Sequence, residues 1–123
     1  MNNPTNNSTI ANAALPVIDW TYGKQLNARS PGLFEELLEL FMAQLPQAQE
    51  EANQYYHEQE FSELSDVLHK LHGSCAYCGV MRLKAVLIKF SVLLNQHQSP
   101  PLALLEEFNR EIELIHATMR KQK

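Results

Sequence analysis

Residues 61–79 read FSELSDVLHKLHGSCAYCG, and their apolar side chains recur every three or four positions. This spacing is typical of an amphipathic α-helix that buries one face. Gly79 follows the last apolar position and is well placed as a C-terminal cap. The stretch therefore predicts a helix from about Glu60 to Cys78 whose buried face consists of Phe61, Leu64, Leu68, Leu71, Cys75 and Cys78.

A histidine lies on the opposite side of this predicted helix. At 100° per residue, His69 is roughly 130° from the centre of the apolar face, and His72 is roughly 70° from it. A glycine inside a helix costs roughly 1 kcal/mol relative to alanine, so Gly73 suggests that something large approaches the backbone beside His69. The pattern predicts an accessible imidazole, which is partly uncharged and nucleophilic near neutral pH. The positions that share its side are Gly73, Ala76, Ser62 and Asp66.

Helical signals continue toward the N-terminus. Asp19 is a plausible N-cap for a short helix that runs to about Ala28. Ser30-Pro31 predicts the start of a second helix, because proline is favoured at the first helical position. Apolar residues then recur at helical spacing over residues 34–55. Pro46 lies inside that pattern and should either kink this helix or split it.

Two more helices are predicted after Gly79. One covers about Met81 to Gln96, and Ser99-Pro100 opens the last one, whose apolar positions alternate three and four apart. No stretch alternates convincingly with the period of two that a strand requires. We therefore predict an all-α protein, an antiparallel four-helix bundle preceded by a short N-terminal helix.

The chain has 123 residues, which is about one domain. Residues 1–16 are rich in Asn, Thr, Ser and Ala and predict a flexible linker or tail, followed by one domain over residues 17–123. Such a tail is expected where a domain belongs to a longer protein, although a free-standing chain is equally compatible with it. No apolar run approaches the roughly 20 residues of a membrane span, and no secretory signal is visible. We expect a cytoplasmic location without direct membrane contact.

The net charge of −4 is distributed unevenly. Every charged side chain in residues 30–66 is acidic if His57 is set aside, whereas residues 67–92 carry four bases and no acid. These bases could attract an acidic partner or a phosphate, or they could simply solvate helix faces. Four bases are too few for a nucleic-acid surface, so no nucleic-acid partner is expected. The bases are Lys70, Arg82, Lys84 and Lys89.

Potential metal ligands recur every three residues at His69, His72, Cys75 and Cys78. Nine helical residues rise about 13.5 Å, and each step of three slips about 60° around the axis. One tetrahedral ion cannot reach all four without unwinding the helix, so we expect no metal. The Cys-x-x-Cys pair lacks the βαβ context of thioredoxin-like redox motifs, and buried structural thiols are the better interpretation.

The run Leu68–Ser74 resembles the motif of histidine-containing phosphotransfer (HPt) domains, and the resemblance extends over about residues 18–119. It is closest to the C-terminal HPt domain of BarA/GacS-type hybrid sensor histidine kinases. In that group His-x-Leu-His-Gly-Ser is followed by Cys/Ser-Gly-Val-x-Arg, which is similar to Cys78-Gly79-Val80-Met81-Arg82. The resemblance implies a phosphorelay protein of two-component signal transduction.

By this resemblance His69 is the phosphoryl acceptor, and Gly73 lets a partner's active site approach. His72 stands where most HPt domains have a lysine that helps to hold the phosphoryl oxygens. Its electrostatic role is open because histidine is only partly charged at neutral pH, and neighbouring bases could compensate. The supporting positions are His72, Gly73 and Lys70, and the expected partner-docking positions are Ala76, Ser62, Asp66, Arg82 and Lys84.

The implied mechanism is a relay in which His69 receives phosphate from the aspartate of one receiver domain and passes it to a second. The partners would be receiver domains of a hybrid sensor kinase and of a response regulator. Mg²⁺ is expected in the receivers, with no cofactor in this chain. No glycine-rich nucleotide loop occurs, so ATP-dependent kinase activity is not expected.

The protein should act as a monomer, either free in the cytoplasm or as the C-terminal domain of a membrane-anchored sensor kinase. The alternative from another class of protein is a non-catalytic helical docking or adaptor module without phosphate chemistry.

Overall fold

The computed structural model of the chain describes residues 15–121, so most of the tail predicted over residues 1–16 lies outside the described residues. All regular structure in the described range is helical, which confirms the predicted all-α class. None of the described helices is both long and apolar enough to cross a bilayer. The five helices are α1 (Trp20–Leu26), α2 (Leu33–His57), α3 (Phe61–Cys78), α4 (Met81–Asn95) and α5 (Leu102–Lys121).

The four long helices form a bundle. α2 packs against α3, α3 against α4, α4 against α5, and α5 closes the ring by packing against α2. Short connections join these neighbours, so successive helices run antiparallel. The seam between α3 and α4 therefore lies on the opposite side of the bundle from the seam between α2 and α5.

The core is built from the apolar faces of all four long helices. On α3 the predicted positions are buried, apart from Phe61, which is partly buried at the start of the helix. Phe90 of α4 and Phe108 of α5 meet edge to face with ring centroids 6.0 Å apart. Because α3 is packed along its whole inner side, its outer side is held in a fixed orientation.

The short helix α1 closes one end of α3. The Asp19 side chain accepts a hydrogen bond from the Tyr22 backbone N–H at 2.9 Å, which confirms the predicted N-cap. The Asp19 backbone N–H donates to the Gly79 carbonyl at 2.8 Å. The helix ends at Leu26 rather than at Ala28, and Gly79 caps α3 in the left-handed conformation.

The start predicted for α2 is wrong. The helix begins at Leu33 after Gly32, whose φ of +83° is left-handed, and no side chain caps it. Ser30 lies in the preceding turn, where its carbonyl accepts from the Leu33 N–H at 3.0 Å. Pro46 does not split the helix, which is continuous from Leu33 to His57. A proline removes one backbone hydrogen bond, and packing of buried residues on both sides of it keeps the helix continuous.

The last helix also begins later than predicted. Residues 99–101 are not helical, and α5 starts at Leu102. The Tyr56 hydroxyl donates a hydrogen bond to the Pro100 carbonyl at 2.8 Å and so ties this connection to the end of α2. Two consecutive prolines favour an extended entry here, because a residue before proline avoids the helical region.

Candidate functional site

The outer face of α3 carries His69 near the middle of the helix, fully outside the core. Asp66 and Gly73 are exposed on either side of it along the same face, and Ala76 is partly exposed one turn further on. No hydrogen bond or ion pair to the His69 ring occurs within the described part of the chain. The imidazole is therefore free to react from the solvent side.

Gly73 is not required by the packing of the described residues. A Cβ added to it would meet no heavy atom within 4 Å outside its own helical backbone. Gly79 is the opposite case, because its φ is +68° and an added Cβ would lie 2.6 Å from the Asp19 carbonyl oxygen. Because glycine destabilises a helix interior, Gly73 lowers the stability of α3 without relieving a steric clash among the described residues. It leaves open space beside His69.

A groove of about 540 Å³ lies between α3 and α4 on one side of His69. His69, His72 and Asp66 stand on its α3 wall, and Ile88 and Val92 stand on its α4 wall. His72 is only partly buried there. The groove brings the predicted acceptor, the predicted supporting histidine and two exposed apolar side chains onto one surface.

A second groove, of about 300 Å³, lies between α3 and α2 on the other side of His69. Lys70 and Ser74 line its α3 wall, and Gln47 and Glu51 line its α2 wall. Lys70 and His72 therefore lie on opposite sides of His69.

The four bases that neighbour the motif in sequence do not form one patch. Arg82 Nη2 lies 2.9 Å from Glu111 Oε2 in a largely buried ion pair, and Lys89 Nζ lies 3.3 Å from Glu107 Oε1. Both pairs join α4 to α5. The guanidinium of Arg82 is therefore paired within the bundle, and its contact with a partner stays a prediction. Lys84 has no ion pair to any described residue.

The two cysteines lie on the inner side of α3 and are both free thiols. Burial raises the pKa of Cys75 to about 12 and that of Cys78 to about 11. The Cys78 thiol donates to the Leu37 carbonyl at 3.5 Å. Because both thiols face the core while His69 faces solvent, the spacing of these four residues does not create a ligand set, and no group of three or more His, Cys, Asp or Glu in residues 15–121 is arranged to hold a metal ion.

Two residues of the site surface were not singled out from the sequence. Ile88 and Val92 are 46% and 49% exposed, although both are large and apolar. They lie on the side of α4 opposite to its buried positions, among them Leu83, Leu87 and Phe90. Large branched apolar side chains opposite a complete core stripe were the signal that could have revealed this surface.

The chain is similar to one protein-family model and to several known proteins. The family model of the Hpt domain matches residues 36–118, a range that contains all of α3. The chain is 29% identical over 106 residues to the sensor histidine kinase GacS of Pseudomonas protegens, and 31% identical over 67 residues to the signal transduction histidine-protein kinase BarA of Escherichia coli K12. The matches cover 86% and 54% of this chain but only 12% and 7% of those relatives. No solved structure gives a significant match.

Proposed function

The chain belongs to the Hpt domain family, and from that premise we propose that His69 accepts a phosphoryl group from a receiver-domain aspartate and passes it to the aspartate of a response regulator. A general role in phosphorelay phosphotransfer follows from the family. The direction of flow and the identity of His69 as the acceptor are our proposal. The observation that supports it best is the exposed imidazole of His69 beside a glycine that the packing of residues 15–121 does not need.

The chemistry needs little from this chain. The lone pair of a His69 ring nitrogen attacks the phosphorus of an aspartyl phosphate, and the bond from phosphorus to the carboxylate oxygen breaks. The carboxylate leaves with that electron pair, so no general base is required, in contrast to a serine nucleophile. A second receiver aspartate reverses the step by attacking the phosphohistidine. Positioning and charge neutralisation dominate such transfers.

The supporting groups flank the acceptor on both sides. The His72 imidazole can donate a hydrogen bond to a phosphoryl oxygen from the groove between α3 and α4, while Lys70 can approach from the groove between α3 and α2. We assign Mg²⁺ and the remaining catalytic groups to the receivers, and no ATP-dependent kinase activity to this chain. We also propose that the protein acts as a monomer in the cytoplasm, free or within a sensor kinase, because the proposed acceptor and its supporting groups all lie on one copy of the chain.

The test is transfer from labelled receivers. A panel of receiver domains from the source genome is phosphorylated with radiolabelled acetyl phosphate and mixed with the full chain. We expect label on the chain that is labile to acid and stable to base, and His69→Gln should abolish it. His57→Gln is the matched control, because His57 is also exposed but lies at the end of α2.

The same experiment separates the relay from the adaptor alternative. An adaptor would bind a receiver without acquiring label, and label that persists in His69→Gln would place the acceptor elsewhere. Either result contradicts the proposed function.

A further inference from the structure

The outer side of α4 carries a ridge of two apolar side chains, Ile88 and Val92. They are one helical turn apart, so their side chains lie next to each other, and about half of each is exposed. On one side the ridge borders the groove that contains His69. On the other side it borders a groove of about 510 Å³ between α4 and α5, whose walls include Pro101, Ala103 and Leu104. We call these two side chains the α4 ridge.

The two grooves beside the ridge carry little free charge, and the nearest base without an ion pair to a described residue is Lys84, which lies one helical turn before Ile88. Asp66 is the one carboxylate that lines the groove beside His69, and neither lysine nor arginine lines it. Lys89 and Glu107 line the groove on the other side, but their charges are paired with each other. A partner that covers the two side chains of the ridge therefore gains mainly from burial of apolar surface.

The position of the ridge limits what can cover it. A specific protein interface buries about 800 Å² on each partner, which corresponds to a patch with a radius of roughly 16 Å. Neighbouring helix axes are about 8–10 Å apart, so a protein centred on the His69 ring also covers the adjacent side of α4. A domain that carries an aspartyl phosphate and is centred on His69 therefore also lies over the groove that the ridge borders.

We propose that the α4 ridge is a docking contact for the receiver domain, and that its apolar side chains determine the affinity of the complex in which phosphate is exchanged. This inference rests on the proposed function of His69. The proposal requires that the receiver has apolar side chains near its aspartyl phosphate. The distance between them must match the distance between the α4 ridge and His69 across the groove.

The test compares two exposed apolar sites. In Ile88→Ser/Val92→Ser the ridge loses its apolar surface, whereas Leu102→Ser changes a side chain that is 54% exposed and lines neither groove. Leu102 shares its side of α5 with Asn109, which hydrogen-bonds to Asn53 of α2, so it lies toward the opposite seam of the bundle. Initial rates of label transfer are measured against receiver concentration, and circular dichroism checks that each variant is folded.

In the free chain roughly half of each ridge side chain is exposed, and the wild-type complex would bury that apolar surface. Because the double variant loses this burial, we expect its half-saturating receiver concentration to be about 30-fold higher. Its maximal rate should equal that of the wild type, and Leu102→Ser should change neither quantity. An unchanged half-saturating concentration in the double variant, with His69→Gln inactive, would overturn the docking proposal and leave the proposed function intact. Absence of transfer from every receiver to the wild type would overturn both.

A second measurement uses the unmodified chain. Titration of the isotopically labelled protein with an active receiver should shift the backbone amide resonances of residues 88–92 together with those around His69. Shifts limited to α3 and to the groove that contains Lys70 would contradict docking on the ridge.

Discussion

Gly73→Ala should make this protein more stable and less active. The added methyl group meets no atom of the described chain within 4 Å, so it introduces no clash in the free protein. Replacing glycine by alanine inside a helix gains about 1 kcal/mol, which corresponds to an increase in Tm of about 4 °C for a domain of this size. Thermal unfolding followed by circular dichroism measures this change.

The same methyl group occupies the space beside His69 that an approaching receiver would use. A displacement of about 1 Å in a reacting pair can reduce a rate about 100-fold, so we expect transfer from a labelled receiver to fall at least about tenfold. Gly79→Ala is the control for glycine replacement as such. It should lower stability instead, because of its positive φ and the nearby Asp19 carbonyl oxygen.

Two results would refute this reasoning. A Gly73→Ala protein that is less stable than the wild type would mean that the free protein itself needs this glycine. A variant that is stabilised as expected but transfers phosphate at the wild-type rate would mean that no partner approaches the backbone at this position.

Three further predictions concern the side chains around the acceptor and on the inner face of the bundle. His72→Ala should slow transfer several-fold without abolishing it, whereas His72→Lys should transfer at least as fast as the wild type, because a lysine supplies a full charge to the phosphoryl oxygens; both are measured in the receiver assay. Arg82→Met should lower the free energy of unfolding by about 3 kcal/mol, since it leaves the Glu111 carboxylate buried without its partner, and Arg82→Met/Glu111→Leu should recover most of the loss in urea denaturation. Above pH 9 the thiols of Cys75 and Cys78 lose their protons in the unfolded chain, whereas in the native protein burial raises the pKa of Cys75 to about 12 and that of Cys78 to about 11. From pH 9 up to the native pKa of each thiol, the free energy of unfolding should therefore fall by about 1.4 kcal/mol per pH unit for that thiol. A Cys75→Ala/Cys78→Ala protein whose stability falls equally steeply with pH would contradict this.

The fold was largely predictable because each long helix repeats one physical signal. Apolar positions three and four apart identified the buried faces, and Asp19 and Gly79 were identified as caps from residue type alone. The helix start predicted at Ser30-Pro31 was wrong because the same pair also suits a turn, and Gly32 completes that turn in the left-handed conformation. Local signals of this kind indicate that a helix starts nearby, but tertiary packing decides at which residue.

The charges of the site were less predictable, since neighbours in sequence can face different helices. Arg82 and Lys84 are two residues apart, which separates them by about 200° around α4. Arg82 faces α5, where it pairs with Glu111, whereas Lys84 faces away from α5 and has no ion pair to a described residue. Whether a base serves a partner or the core therefore depends on which helix packs beside it, and the sequence of α4 alone does not contain that information.

The division of α3 into two faces explains how so small a site can support a relay. Its inner face is fully packed, so the backbone that carries His69 is held rigidly, and its outer face offers an imidazole without a fixed charged partner. A relay intermediate must give up its phosphate as readily as it receives it, and interactions that bind the phosphorylated ground state tightly would raise the barrier to the second transfer. A bidentate arginine would be such an interaction. Arg82 does not supply it to His69, because its guanidinium is paired with Glu111. Under the proposed function, the sparse charge around His69 leaves most of the transition-state stabilisation to the receivers, so that the same histidine can serve both steps.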